Sequence, residues 1–240
     1  MNRQAQAAVL FLTGGAILHT GLTDLYLRYV KAGLRPLLLA AGVVLIAAAT
    51  ATVWYERRAR RTGAGAEVHP HREPRIAWLM ALPLLALVLV APPALGSYSA
   101  LRTGTALQKQ PWGFADLPAG DTVRLSLVDY AGRAAYDHGR SLDNRRITTA
   151  GFLAVGSDGT PYLVRMALSC CAADAQPVKI GLTGHTPTVL RPDTWLEVTG
   201  TYTAKQTKDP VNKGIIPFLK ITEAKPIKAP RDPYDESWNG

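Results

Sequence analysis

Three long stretches without charge decide most of what this chain can fold into. Residues 7–23 contain no Asp, Glu, Lys or Arg. Residues 36–55 read PLLLAAGVVLIAAATATVWY, and residues 76–95 form a further apolar block with no charge until Arg102. A helix needs about 20 such residues to cross a hydrocarbon core ~30 Å thick. A surface helix of a water-soluble domain interrupts its apolar stripe with polar positions every turn, and these segments do not. They read as three transmembrane helices at about 7–27, 36–55 and 76–95.

The mean hydropathy of +0.03 over 240 residues conceals this, because it averages two different modules. Residues 1–96 hold ten Lys/Arg against four Asp/Glu, whereas residues 97–240 hold seventeen against fourteen. The sequence divides into a membrane domain at 1–96, a linker at 97–120 and a soluble β-rich domain at 121–240. The expected fold class is N-terminal transmembrane α-helices plus a C-terminal all-β, OB-like small barrel domain.

Basic residues flanking the spans set orientation. Arg57, Arg58, Arg60, Arg61, Arg72 and Arg75 lie between spans two and three, and Arg28, Lys31 and Arg35 between spans one and two. The richer loop belongs in the cytoplasm, together with Arg3. An odd number of spans then makes the chain a multi-pass plasma-membrane protein with its C-terminal domain extracytoplasmic. Trp54, Tyr55 and Trp78 fall where interfacial aromatics are expected. Span one has a single arginine before it and no A-x-A-like cleavage site, so it reads as half of a retained hairpin with the lipid bilayer as its solvent. The loop arginines serve as an anchor, and His69 and His71, without Cys or carboxylate at ligand spacing, are incidental.

Polar groups inside a span are costly and usually face protein or water. His19 and Asp24 are the membrane-embedded candidates: on a continuous helix Thr23 shares a face with His19, and Asp24 follows about 40° on. Either they mark an ion-handling path, or Asp24 sits at the interface and His19 bonds to a neighbouring helix.

Beyond residue 120 the pattern becomes short β-like runs split by turn signals. Thr122–Val128 alternates, residues 129–145 are polar and partly helical, and five strands follow. These are Arg146–Val155, Tyr162–Leu168, Pro177–Gly181, Thr194–Thr201 and Ile215–Ala224. Gly151 and Gly200 inside strands mark bends that a small barrel needs, and Pro217 places the last strand at an edge or bulge. An OB-like barrel fits this count, with a sandwich fragment as the alternative. Nucleic acid is excluded as a partner: the net charge of +3 over residues 97–240 is slight, and no aromatics interleave with lysines.

The two cysteines, Cys170 and Cys171, are adjacent. Neighbours close no useful loop, and successive side chains on a strand point to opposite faces, so a stapling disulfide is disfavoured. Three readings stay open: a soft-metal site with Asp174, for an ion such as zinc; a redox-active pair; or two small buried hydrophobes. A full tetrahedral site needs further ligands, for which His138, His185 or a partner subunit are available.

These residues also carry a resemblance. His19-Thr20-Gly21, the Tyr29-Val30-Lys31 tract, Arg165-Met166, the run Ser169-Cys170-Cys171-Ala172-Ala173-Asp174-Ala175, Asp193-Thr194-Trp195 and the tail through Tyr234 resemble the YcgQ-like family of membrane permease subunits. The likeness spans nearly the whole chain, and the Cys-Cys-Ala-x-Asp-Ala core is its most specific part. It implies an integral membrane protein that works with a separate polytopic permease, YcgR-like, and it adds Arg165, Trp195 and Tyr234 as motif residues. The expected function is an accessory subunit of a two-component permease complex whose external domain binds substrate or metal. The alternative is a membrane-anchored metal-binding or thiol-redox protein. No catalytic residues are expected, since G-x-S-x-G, P-loop and H-E-x-x-H patterns are all missing.

Overall fold

The computed structural model describes residues 3–61, 93–109, 113–186 and 191–234, with positions 82, 86 and 90. The third apolar segment lies almost wholly outside the described residues, as do His69 and His71. The chain forms two compact units, one of Met1–Tyr26 and Ala32–Pro93, the other of Leu27–Lys31 and Ala94–Gly240.

Among its described residues the first unit holds two long helices, α1 (Arg3–Leu22) and α2 (Arg35–Arg61), both long and apolar enough to cross a membrane. Small residues let them approach closely. Ala5, Ala7, Gly14 and Gly21 are the buried positions of α1, and Gly42 and Ala49 are buried on α2. A Cβ built on Gly14 would lie 3.0 Å from the carbonyl oxygen of Gly42, and one on Gly42 would lie 3.2 Å from that of Gly14. Van der Waals contact between backbones, with no side chain between, is how helices associate in lipid. Near the turn the Arg35 Nε–H donates to the Gly21 carbonyl at 3.0 Å, and its guanidinium stacks on Tyr26. Helix α1 stops at Leu22 and a 3-10 turn begins at Asp24, short of the continuous helix to residue 27 read from the sequence.

The second unit is a small five-stranded mixed β-barrel. Among its described residues the unit has six strands, β1 (Thr122–Arg124), β2 (Arg146–Val155), β3 (Pro161–Ala167), β4 (Gln176–Gly184), β5 (Trp195–Lys208) and β6 (Ile215–Pro226), of which the last five form the barrel. The order is β1-β2-β3-β4-β6-β5, and β5 pairs again with β2, so β2 through β6 close on themselves with β1 added in parallel to β2. The β4–β6 pairing is parallel and the other barrel pairings are antiparallel. Closure removes the exposed edges that an open sheet must protect. Gly200 sits at a register shift, where a Cβ would collide with the Lys220 carbonyl. Pro217 precedes the stretch of β6 that pairs with β4, so its missing N–H disturbs no second ladder.

The barrel interior is filled by Ile147, Leu153, Leu163, Ile180, Val198, Leu219 and Ile221, and α4 (Leu127–Tyr136) packs against them through Leu127, Tyr130, Ala131 and Ala134. Here the structure corrects the reading of Thr122–Val128 as one strand. Only Thr122–Arg124 pairs, because Ser126 caps a helix by accepting the Asp129 N–H at 3.0 Å. The segment read as a linker is also part of this unit. Its helix α3 (Ser97–Arg102) buries Ala100 beside Phe152, Val164, Met166 and Tyr234 in a second apolar cluster.

Candidate metal centre

The run after β3 cannot continue the sheet, because Asp174 folds the chain back on itself. Its two carboxylate oxygens accept the backbone N–H groups of Ser169 at 3.0 Å and Cys170 at 2.8 Å, and a 3-10 turn follows at Ala172–Asp174. The reversal gathers ligand atoms that a straight strand would separate. The Cys170 and Cys171 sulfurs and an Asp174 oxygen all lie within 4.8 Å of one another. Both thiols are free; Cys170 is exposed and Cys171 half-buried. A carboxylate offers about four lone-pair positions, so the two backbone bonds leave Asp174 able to accept from a thiol or an ion.

The electrostatics of this cluster follow from its hydrogen bonds. The Asp174 carboxylate, followed by Cys171, pushes the Cys170 thiol up to about 11, since both interactions favour the protonated sulfur. Asp174 is held below the ordinary carboxylate range, chiefly by the Cys170 thiol and its N–H. A nucleophilic cysteine needs the opposite shift.

A second partner reaches the loop from a distance in sequence. Residues Tyr29–Lys31, from the connection between α1 and α2, form an antiparallel bridge in which Val30 faces Cys171. The Ala172 N–H donates to the Tyr29 carbonyl at 2.7 Å, and the Lys31 N–H donates to the Cys170 carbonyl at 3.0 Å. Leu27 is buried at the start of this strap, and Arg28 and Tyr29 act electrostatically on Tyr234, whose hydroxyl is pushed up mainly by burial. Sequence reasoning missed the strap as a site element. Its one signal was the Tyr-Val-Lys tract, which has too little periodicity to pair on its own.

The remaining candidates separate by role. Arg165 is buried with its guanidinium 4.9 Å from the centre of the Trp195 ring, and Trp195 meets Phe152 edge-on at 5.9 Å. The Tyr234 hydroxyl accepts the Leu95 N–H at 2.8 Å. Asp193 accepts the Ser97 N–H at 2.6 Å and so holds the first turn of α3. These motif residues position the second apolar cluster and contribute no atom to the metal-ligand cluster found among the described residues. His138 lies in a left-handed turn after α4, and the His185 N–H donates to the Ile221 carbonyl; neither imidazole belongs to that cluster. His19 is exposed on α1, and Asp24, beyond the helix end, does not share its face.

Residues 132–235 match the family described as the DUF1980 C-terminal domain. The match begins within α4 and takes in the whole barrel, the cysteine cluster, Arg165, Trp195 and Tyr234. No curated protein and no solved structure matches the chain.

Proposed function

We propose that this chain is a non-enzymatic accessory subunit of a membrane permease complex, and that its barrel presents a zinc-class metal site of Cys170, Cys171 and Asp174. The observation that carries the proposal is the gathering of two thiols and a carboxylate within 4.8 Å on one short loop. Thiolates select soft and borderline ions. Three protein ligands leave a fourth position for water or for a donor on the next carrier, which suits an ion that is passed on. An ion at this point reverses the local electrostatics and deprotonates the thiols it binds.

The thiol-redox alternative is weaker, because an upward-shifted Cys170 supplies little thiolate near neutral pH. A polytopic permease is the partner supported by His19: an ionisable side chain exposed on an otherwise apolar helix is costly against lipid and calls for a covering protein surface. The multi-pass, plasma-membrane setting with an extracytoplasmic barrel rests on the arginine-rich 56–75 loop. The YcgQ-like resemblance supports the same class.

The test is a zinc titration of the full chain in mild detergent under reducing conditions, against a competing chelator. One ion per chain is expected, with affinity reduced at least tenfold in each of Cys170→Ser, Cys171→Ser and Asp174→Asn. Absence of stoichiometric binding, or binding indifferent to all three substitutions, removes the metal reading. Recovery of a polytopic partner from membranes by the tagged chain tests the subunit reading separately.

A further inference from the structure

We propose that the Tyr29–Lys31 strap is a metal-sensing element: an ion at Cys170, Cys171 and Asp174 locks the strap onto the cysteine loop, and loss of the ion loosens it. This rests on the metal reading of the same three residues and adds its regulation.

A tetrahedral zinc with bonds of ~2.3 Å holds two sulfurs about 3.8 Å apart. The three ligand atoms already lie within 4.8 Å of one another, so loading fixes their spacing with a small adjustment of the loop backbone. The backbone that must adjust is the backbone that holds the strap. The Cys170 carbonyl accepts from Lys31, the Ala172 N–H donates to Tyr29, and Cys171 stands between them opposite Val30. Asp174 already fixes Ser169 and Cys170 from the other side, which leaves the strap as the neighbour that responds. The bridge itself is short, and a short strand pair is marginal in water. A bridge near that margin is where an ion shifts a population most. Each thiol releases its proton to solvent as its sulfur binds, and no electrons move.

Linkage makes the effect reciprocal: the factor by which the ion favours the closed strap is the factor by which the strap favours the ion. The strap is also the chain that joins α1 to α2. Metal occupancy is thereby reported to the connection between the two apolar helices.

Hydrogen exchange of the full chain in detergent, with and without saturating zinc, tests this beside the binding titration. Zinc is expected to slow exchange at the Lys31 and Ala172 amides by about fivefold or more, the lower end of typical coupling. Lys31→Pro deletes the N–H that reaches Cys170 and is expected to weaken zinc binding by a similar factor. Lys31→Ala keeps that N–H and should retain both effects. Zinc that binds with wild-type affinity to Lys31→Pro, or that leaves both amides exchanging at the same rate, overturns the sensing role while the metal site stands. No zinc binding at all overturns both.

Discussion

Lys179 and Asp209 form an ion pair closed off from water, with side chains 2% and 0% exposed and a Nζ–Oδ2 distance of 2.8 Å. Lys179 also donates to the Thr103 carbonyl, and Asp209 accepts from the N–H groups of Thr105 and Val211. The pair thus ties the segment after α3 to the β5–β6 loop across β4. Removing one partner strands a buried charge, which costs about 3–5 kcal/mol. Lys179→Met is therefore expected to lower the thermal midpoint of the full chain by roughly 10 °C, at ~2–4 °C per kcal/mol for a chain this size. Lys179→Met combined with Asp209→Leu should recover part of the loss, and a double variant as unstable as the single would sink the argument. A second residue-scale effect concerns acid. Accepting from Ser141 and Arg140 holds the Asp137 carboxyl below its ordinary value, so the unfolded chain takes up its proton first. Its stabilisation is present above the unfolded pKa of about 3.9 and fades as the pH falls through the lower folded value. Asp137→Asn should flatten the acid limb of a stability–pH curve, and an unchanged limb refutes the assignment. At this scale the sequence was legible where chemistry was local. Cys170, Cys171 and Asp174 stand within five positions, and one turn unites them. Lys179 was illegible, because PVKIG reads as a strand with a lysine turned to water; its burial comes from chain about 30 and 76 residues away.

Among the elements, the close approach of α1 and α2 gives the sharpest contrast. Gly14 and Gly15 are neighbours of identical type in one helix, yet a Cβ on Gly14 meets Ile46 at 2.8 Å, while one on Gly15 meets nothing within 4 Å. Gly14→Leu is expected to cost about 1–3 kcal/mol through overpacking. Gly15→Leu should be neutral or gain up to about 1 kcal/mol of helix propensity. Thermal unfolding of the two variants in detergent reads the difference; equal losses would deny the close approach. Apolar length predicted these helices, but the partner of each glycine depends on register, which no single segment encodes. The strands show the same limit. All five barrel strands appear in the sequence as short β-like runs, and β4, β5 and β6 extend beyond theirs because pairing carries order into polar residues. Lys208, for example, pairs with Ile215 at the far tip of the β5–β6 hairpin. Residues 127 and 128 went the other way, where one serine cap outweighed a β-like alternation.

For the molecule as a whole, the bridge between Val30 and Cys171 constrains how the chain threads a bilayer. Hydrogen-bonded segments share one aqueous compartment, so Leu27–Lys31 and the barrel that contains Cys171 belong on the same side. If α2 crosses once after residue 32, the chain must cross again before it enters the barrel at Ala94. The apolar segment 76–95 has the length for that crossing. The six arginines between residues 56 and 75 then lie opposite the barrel, where the excess of positive charge favours the cytoplasm. Backbone pairing and loop charge are independent observations, and both fit the proposed topology with an extracytoplasmic barrel. Single cysteines in a Cys170→Ser, Cys171→Ser background test it with a membrane-impermeant maleimide on intact cells. Arg28→Cys and Lys213→Cys should label from outside, and Gly65→Cys only after the membrane is opened. Labelling of Arg28→Cys and Lys213→Cys from opposite sides would break the bridge and the topology together. Labelling of all three from outside would leave the bridge intact and remove the crossing by α2 together with the third span.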